Sequence, residues 1–599
     1  MQPERQLLSG VFPPPQDVTI LREDAIAKPD NLRLAEGTSN RNRSFITGYS
    51  LIKKAPEIST KSTGIPITFA EGENHPDLQG YRISIKQDGI EIEAESSAGF
   101  QYAGTTLAQL FATADARLPE MIISDEPAFP NRGFMLDISR NKVPTMDTLF
   151  ALVDLLALRK YNHLQLYTEH TFAYRAHETV WRDASPMTAD EIKQLDRYCR
   201  QRHIELAANQ NSFGHLQQWL KHPDYRQFAE CTGEFVTPWG ETRKGPFSLN
   251  PIDPLCLEFL AGLYDELLPC FSSPLINVGC DETFDLGQGA SRDACTSKGK
   301  GRVYLDFLLK IRDLVVSRGK TMMFWGDIIL NHPELISEIP RDMIALVWGY
   351  EADHPFEEQC RLFSESGSPF WVCPGTSNWN SITGRLQNAL ENMDAAAKAG
   401  RSHGASGIII TEWGDNGHWQ TMPFTQLMVS AGGYAGWHGC APTTEILGDA
   451  VDHSTIIMKL GRMYKLAEFN LHNTSPLFPL IRFSNIEKIL NQWTMHALLK
   501  AESEIEPIRE HILSLKPVET ETCLRVDELR LGTDMLLHAV HRGLWKKAGQ
   551  PSQESAELLR EIENIESEFK RLWLARNRVG GMAESMEPLA MRRREYQPA

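Results

Sequence analysis

Apolar and polar residues follow two different patterns along the chain, and the pattern changes near residue 127. In the first part, "YRISIK" (81–86) and "IEIEAE" (90–95) alternate apolar and polar positions around Asp88 and Gly89, as a β-hairpin does. The following "SAGFQYAGTTLAQLFATA" carries apolar residues at helical spacing. We therefore predict a small α/β domain over residues 1–127, closed by the turn-rich "SDEPAFPNRG".

Eight short apolar runs, separated by helical segments, replace this alternation in residues 128–460. The runs are residues 133–139, 163–169, 204–210, 275–282, 321–327, 344–350, 369–375 and 407–414. Continuous apolar runs of this kind predict parallel strands that are buried on both faces. Eight of them predict an α/β fold of the (β/α)8 TIM-barrel type. A doubly wound open sheet is the alternative, but no glycine-rich phosphate motif follows any run.

Beyond residue 460 the strand pattern is replaced by long helical patterns rich in Leu, Glu, Lys and Arg. Segments such as "SAELLREIENIESEFKRLWLARN" have helical periodicity. We predict a C-terminal helical domain over residues 461–599 that ends in a loose tail, "MRRREYQPA".

Composition and charge narrow the class of protein. A chain of 599 residues with 42% hydrophobic residues and 13 tryptophans has ample core for several globular domains. Its net charge of −17 argues against nucleic acid as a partner. We find neither a signal-peptide pattern nor an apolar stretch of membrane-spanning length, so we expect a cytoplasmic protein without a membrane partner. The ten cysteines form no C-x-x-C pair, and we interpret them as reduced thiols.

Acidic residues and tryptophans gather where the apolar runs end. The run at residues 275–282 ends in two adjacent acids, Asp281 and Glu282. A lone acidic pair is usually a solvated loop start, but active sites of TIM barrels are built at the C-terminal ends of the strands. Other runs end close to the residues Asp137, Glu169, Gln210, Trp325, Asp327, Trp348, Trp413 and Asp415. Indoles and carboxylates around one pocket are typical of a sugar-binding site.

Several motifs together resemble the family 20 glycoside hydrolases, the β-N-acetylhexosaminidases. "GFQYAGTTLAQL" is similar to a helix of that family's small N-terminal domain, and "NRGFMLDISR" is similar to its first barrel strand. "NVGCDE" resembles the family's strand ending in G-x-D-E, while "FWGD" and "TEWGD" resemble its later strands. The segments "LQLYTEHTFAY" and "NQNSFGHLQQW" bring the chain closest to the hexosaminidase D-like branch.

The resemblance implies an exo-acting enzyme that releases terminal β-linked GlcNAc or GalNAc. It implies that Glu282 is the general acid/base, that Asp281 orients the 2-acetamido group, and that His215 with Glu169 supports the acid. It also implies a set of substrate-binding residues, namely Arg132, Trp325, Trp348, Trp379, Trp413 and Asp415. Trp379 is the candidate for capping the acetamide. The implied partners are amino-sugar glycans or glycoconjugates, with no cofactor and no metal, and a homo-oligomer is compatible with the sequence.

The adjacency of the two acids also bears on mechanism. Ordinary retaining glycosidases place two carboxylates on either side of the scissile bond, whereas adjacent residues reach one region of a site. Substrate-assisted glycosidases need carboxylates in one region only, because the acetamide oxygen of the substrate is the nucleophile. A noncatalytic glycan-binding protein on the same barrel is one alternative. A metal-dependent hydrolase is another, although His163, His170 and His215 form no recognisable ligand set.

Overall fold

Within the described residues, a seven-stranded sheet and two helices form the N-terminal part of the molecule. The computed structural model describes residues 8, 10–34, 40–59, 64–70, 79–114 and 117–597. The sheet has the strand order β1-β7-β5-β6-β4-β2-β3. Its strands are β1 Asp17–Ala27, β2 Asn31–Leu34, β3 Glu57–Ser59, β4 Ile65–Ala70, β5 Tyr81–Lys86, β6 Gly89–Glu93 and β7 Arg117–Asp125, and its helices are α1 Asn40–Tyr49 and α2 Ser97–Thr113.

The predicted hairpin and helix of this part are both present. β5 and β6 pair antiparallel, with Ile83 opposite Ile92. Helix α2 begins where the Ser96 side chain accepts a hydrogen bond from the Gly99 amide at 3.2 Å, which satisfies an otherwise unpaired N–H of the first turn. Alternate residues of both strands face a buried cluster that they share with α2.

The eight apolar runs form a closed parallel barrel, which confirms the predicted fold class. Its strands, in chain order, are β8 Asn131–Asp137, β9 His163–Tyr167, β10 Glu205–Asn209, β13 Leu275–Asn277, β14 Thr321–Trp325, β15 Met343–Trp348, β16 Phe370–Cys373 and β17 Gly407–Glu412. A separate two-stranded hairpin, β11 Glu234–Val236 with β12 Thr242–Lys244, interrupts the barrel order after the third barrel strand. The sheet of the N-terminal part ends at Asp125 and the barrel begins at Asn131.

Helices surround the barrel and then continue as a helical C-terminal region. Those up to the end of the barrel are α3 Met146–Leu158, α4 Glu178–Trp181, α5 Ala189–Arg200, α6 Gln217–Leu220, α7 Pro254–Leu267, α8 Arg292–Lys298, α9 Lys300–Val316, α10 Asp327–Leu330, α11 Phe356–Ser366, α12 Leu386–Ser402 and α13 Met422–His438. The later ones are α14 Thr444–Leu447, α15 Ser454–Leu460, α16 Phe478–Arg482, α17 Glu487–Leu490, α18 Met495–Ser514, α19 Thr520–Lys547, α20 Ser552–Arg576 and α21 Met582–Tyr596. Among the described residues, no helix is both long and apolar enough to cross a membrane.

The prediction of a loose C-terminal tail is wrong for the residues that the structure describes. Helix α21 runs to Tyr596, and only residues 598 and 599 of the predicted tail lie outside the described chain. Arg592 and Tyr596 are 2% and 3% exposed. Arg592 donates a hydrogen bond to the Phe483 carbonyl at 2.6 Å, and the Tyr596 hydroxyl pairs with His538 at 3.0 Å. Arg592 and Tyr596 of the predicted tail are therefore buried with partners.

Candidate active site

The two adjacent acids lie just beyond the short strand β13, where the backbone turns sharply. Gly279, Cys280 and Glu282 have φ angles of 69°, 71° and 50°, in the left-handed region that non-glycine residues rarely occupy. Successive side chains of an extended strand point to opposite faces. The left-handed turn removes that alternation, so the carboxylates of Asp281 and Glu282 face the same imidazole, that of His215. Such backbone strain is typical of functional sites.

Neighbouring strands hold this turn in place. The Trp325 amide donates to the Gly279 carbonyl at 3.0 Å, and the hydroxyl of Tyr304 donates to the Cys280 carbonyl at 2.8 Å. The Glu282 amide donates to the Asp327 carboxylate at 3.1 Å. The turn is therefore fixed through strand β14 and helices α9 and α10.

His215 lies between the two acids. Its Nε2 is 3.3 Å from an oxygen of Asp281 and 3.4 Å from an oxygen of Glu282. These are ion-pair distances without a well-aligned hydrogen bond. Burial alone would lower the pKa of His215, but the charge of Asp281 and the contacts with both acids outweigh burial and the repulsion from Arg140, and raise the pKa to about 10. The ring is therefore a cation at neutral pH.

The charge on His215 in turn controls Asp281. Asp281 is 6% exposed, and burial by itself would raise its pKa. The imidazolium outweighs burial, so the pKa of Asp281 lies below its ordinary value. Asn211 donates a further hydrogen bond to this carboxylate at 3.3 Å. Glu282 differs in access, because about a third of its side chain (34%) is exposed.

Arg140 is the basic residue at the centre of the barrel mouth. It follows β8 and is 3.0 Å from Asp137, 3.4 Å from Glu169 and 3.5 Å from Asp415. It also approaches Nδ1 of His215 at 3.4 Å. Glu169, Asp415 and His215, which the resemblance assigned to the site, are therefore brought together around one guanidinium. Sequence reasoning did not select Arg140, although its position after a strand end was a signal for it.

The prediction that Arg132 lies in the sugar site is wrong. Arg132 is near the start of β8, at the end of the barrel opposite to Glu282, and is 1% exposed. Its guanidinium donates to the Lys160 carbonyl at 2.7 Å and to the hydroxyl of Tyr102 at 2.9 Å. It also lies 5.0 Å from the ring centre of Trp437. Arg132 thus joins the barrel to the N-terminal sheet domain.

The four predicted tryptophans belong to one aromatic cluster in the barrel, together with Tyr167 and Tyr350. The ring centres of Trp325 and Trp413 are 6.0 Å apart. Trp348 stacks on Tyr350 at 5.1 Å, and Tyr350 meets Trp379 edge-on at 4.9 Å. The cluster supplies an apolar wall beside the carboxylates, as a sugar ring requires.

Trp379 is poorly placed to cap an acetamide through its N–H. That group already donates to Asn473 at 3.0 Å, and the ring is 1% exposed. Tyr350 is partly exposed, and its hydroxyl, which accepts a hydrogen bond from Trp413 Nε1 at 2.7 Å, is also able to act as a donor. Tyr350 follows strand β15, a position that sequence reasoning did not examine for this role.

Asp327 is a third carboxyl group beside the acidic pair. It accepts the Glu282 amide and, at 3.3 Å, the N–H of Trp348. Desolvation, followed by the negative charge of Asp281 and Glu282, raises the pKa of Asp327 to about 8. Its place at a strand end was visible in the sequence, but nothing there distinguished it from a helix-starting aspartate. Across the described residues, no group of three or more His, Cys, Asp or Glu side chains is arranged to hold a metal ion.

Fold and site together define a class of protein, a TIM barrel with paired carboxylates and a tryptophan-lined wall at its C-terminal mouth, as glycoside hydrolases have. Two family models narrow the class. "Glycosyl hydrolase family 20, catalytic domain" matches residues 129–378, and "Glycosyl hydrolase family 20, domain 2" matches residues 6–126. The chain belongs to glycosyl hydrolase family 20, as its motifs indicated.

Relatives and solved structures agree with this assignment. The chain is 25% identical over 318 residues to a beta-hexosaminidase of Akkermansia muciniphila, a match that covers 48% of this chain and 64% of that protein. It is 24% identical over 323 residues to human Hexosaminidase D, covering 50% of this chain and 63% of that protein. The chain thus spans less than two thirds of either relative.

Among solved structures, a chitobiase of Flavobacterium johnsoniae superimposes with a TM-score of 0.61 at 16% identity, covering 96% of this chain and 100% of that chain. An exo beta-N-acetylglucosaminidase of Vibrio harveyi, solved with N-acetylglucosamine, has a TM-score of 0.57 at 18% identity and covers 75% of each chain. At these identities the likeness is one of fold.

Proposed function

We propose that the protein is an exo-acting β-N-acetylhexosaminidase that removes terminal β-linked GlcNAc or GalNAc from amino-sugar glycans or glycoconjugates, with retention of configuration. One observation carries the proposal, namely that Asp281 and Glu282 both face His215 from the same side of the site. A pair on one side of the sugar suits a reaction in which the substrate supplies its own nucleophile.

Each acid has a distinct task in this reaction. Glu282, the more exposed acid, donates a proton to the glycosidic oxygen as the bond breaks, and the acetamide oxygen attacks the anomeric carbon to form an oxazolinium ion. Asp281 stays ionised beside the cationic His215 and stabilises the positive charge that develops on the acetamide nitrogen. Glu282, now a carboxylate, then takes a proton from the water that opens the ring.

The remaining residues hold the sugar. Trp348 and Trp413 offer rings to the apolar faces of the pyranose and its acetamide methyl group, and Trp325, which is 1% exposed, packs against Trp413. Asp415, which is 3.5 Å from Arg140, accepts hydrogen bonds from sugar hydroxyls. The hydroxyl of Tyr350 donates to the acetamide carbonyl and so holds that oxygen in line for attack.

Three aryl glycosides with one leaving group test the proposal. The β-GlcNAc or β-GalNAc glycoside should be hydrolysed with retention, as read by NMR, and the β-glucoside should be nearly inert because it lacks the acetamide. Inversion, or efficient hydrolysis of the glucoside, would contradict the proposed mechanism. Binding of N-acetylglucosamine without hydrolysis of any substrate would instead favour a noncatalytic glycan-binding protein.

Two variants test the roles of the acids. Asp281→Asn should lower kcat by roughly a hundred- to a thousandfold, as expected for removing one preorganised electrostatic contact. Glu282→Gln should lose most activity on substrates with poor leaving groups, which need the proton, and least on activated aryl glycosides. An equal loss on both kinds of substrate would show that Glu282 is not the acid.

A further inference from the structure

The hairpin β11–β12 carries at its tip a tryptophan, Trp239, that has no role in the reaction proposed above. Trp239 lies between the two strands and is 53% exposed, an unusual state for the largest apolar side chain. One side of its indole faces the guanidinium of Arg243, whose central carbon is 5.1 Å from the ring centre.

The hairpin is fixed to the loop that follows Glu282. The side-chain amide of Gln288 donates to the carbonyls of Val236 and Phe284 at 2.9 and 2.8 Å, and its oxygen accepts the Val236 amide at 2.9 Å. On the inner face of the hairpin, Phe235 is 3% exposed and packs against Phe247 at 6.0 Å. The hairpin is thus held without any contribution from the exposed surface of Trp239.

An unbroken row of rings leads from Trp239 to the acids. Trp239 meets Phe284 edge-on at 5.0 Å, Phe284 stacks on Phe247 at 5.7 Å, and Phe247 meets the ring of His215 at 5.0 Å. The last of these rings contacts both Asp281 and Glu282. Trp239 is therefore at the outer end of a wall that begins inside the candidate active site.

The direction of this wall matches the direction in which the leaving group must lie. An acid protonates the oxygen that joins the two sugars, so the departing sugar lies on the outer side of Glu282. Phe284 is two residues beyond that acid in the sequence and is partly exposed, and Trp239 is the next ring outward along the row. We propose, on the basis of the proposed function, that Trp239 forms a subsite for the departing sugar and stacks on the apolar face of its pyranose ring.

Stacking of this kind acts equally on the bound substrate and on the transition state. It therefore lowers KM for substrates with a second sugar ring and leaves kcat unchanged. The fitting ligand class is a neutral pyranose in β linkage, whose axial C–H groups cover an indole face. Arg243, beside the same indole, is placed to donate hydrogen bonds to that sugar's hydroxyls.

The test compares two substrates whose leaving groups are both unactivated alcohols. They are the methyl β-glycoside of N-acetylglucosamine and the β-linked disaccharide of N-acetylglucosamine. Trp239→Ala should raise KM for the disaccharide about tenfold, while hydrolysis of the methyl glycoside, which has no second ring, changes less than about twofold. Trp239→Tyr should recover most of the loss. Val236→Ala, on the same hairpin and 50% exposed, is the matched control and should leave both substrates unaffected.

A binding measurement separates this subsite from the catalytic proposal. In the Glu282→Gln background, calorimetry should show that Trp239→Ala weakens binding of the disaccharide about tenfold and binding of the monosaccharide not at all. Equal losses with both ligands, or none with either, would overturn the subsite. A wild-type protein that binds the disaccharide through Trp239 but hydrolyses neither substrate would support the subsite and reject the proposed hydrolase.

Discussion

At the scale of single residues, the arginine of the candidate site is Arg140 and not Arg132, to which the resemblance pointed. Arg132 and Arg140 both belong to the string "NRGFMLDISR", and they lie near the start and just beyond the end of strand β8. In a parallel barrel only the C-terminal end of a strand faces the active site. Arg140 therefore meets Asp415 and His215, while Arg132 meets the N-terminal sheet domain.

The pair gives a direct prediction. Arg140→Lys keeps the charge but loses the planar fork that reaches Asp137, Glu169 and Asp415 together, so kcat/KM should fall roughly 10- to 100-fold with little change in Tm. Arg132→Lys should have the opposite signature, a lower Tm and near wild-type kcat/KM for the folded fraction. Assays on an aryl β-GlcNAc glycoside alongside thermal unfolding measure both. Loss of activity at unchanged Tm in the Arg132 variant would return that residue to the site.

Asp327 is expected to set an alkaline limit on activity. Its pKa is raised to about 8, so the group is neutral below that pH and becomes a third negative charge beside Asp281 and Glu282 above it. The added charge opposes the carboxylate that Glu282 becomes when it gives up its proton, and so slows proton donation to the glycosidic oxygen. kcat/KM should therefore decline above about pH 8. Asp327→Asn stays neutral at every pH but accepts one hydrogen bond fewer. This variant should remove the alkaline decline of kcat/KM and lower kcat/KM at neutral pH. If the variant keeps the same alkaline decline, that decline is due to another group.

At the scale of elements, the eight barrel strands could be predicted because burial on both faces leaves an uninterrupted apolar run. Strands β14 and β17 coincide with their runs nearly residue for residue. Strand β13 is shorter than its run, since the chain leaves the sheet after Asn277 to make the left-handed turn that carries the acids. That turn depends on contacts from β14 and α9, which are distant in sequence, so local pattern could not reveal it.

The last helix and the hairpin β11–β12 could not be predicted from local pattern either, each for its own reason. Helix α21 is rich in arginine, and its burial depends on partners supplied by other segments, such as His538 for Tyr596. The hairpin β11–β12 has strands of three residues each, too short to show a period. Site residues at strand ends were therefore within reach of the sequence, whereas Tyr350 and Trp379 could be ranked only from their hydrogen bonds.

The packing of α21 can be tested through Tyr596. Its ring is 3% exposed and lies 5.3 Å from Trp545 and 5.6 Å from His538. Tyr596→Ala should lower the free energy of unfolding by about 3 kcal/mol, as expected for removing a buried aromatic ring. Tyr596→Phe, which loses only the hydroxyl bond, should cost about 1 kcal/mol. Denaturant unfolding measures both, and an unaffected Ala variant would mean that the end of the chain is a free tail.

At the scale of the whole molecule, the two ends of the barrel have separate tasks. The C-terminal mouth carries the acids, and α21 reaches its rim, where Trp419 donates to the Ser585 carbonyl at 2.9 Å. The opposite end is occupied by the N-terminal sheet domain, joined through charged groups that water does not reach. Lys160 and Asp125 are 2.7 Å apart with both side chains fully buried. Chemistry and domain attachment can therefore be perturbed independently.

This separation makes the Lys160–Asp125 pair a test of the architecture. Asp125 also accepts hydrogen bonds from Tyr81 at 2.6 Å and Trp437 at 2.8 Å, so a buried carboxylate with several partners remains when the lysine is removed. Breaking one side of a buried ion pair costs about 3–5 kcal/mol, because the other charge is left uncompensated. Lys160→Met should therefore lower the midpoint of denaturant unfolding strongly, while the folded enzyme keeps its kcat and KM. Lys54→Met, at an exposed position of the N-terminal sheet domain, is the control and should change neither the unfolding midpoint nor the kinetics. A Lys160 variant that unfolds like the wild type but loses activity would place this pair in the catalytic machinery and contradict the division of the barrel into a reactive end and an attached end.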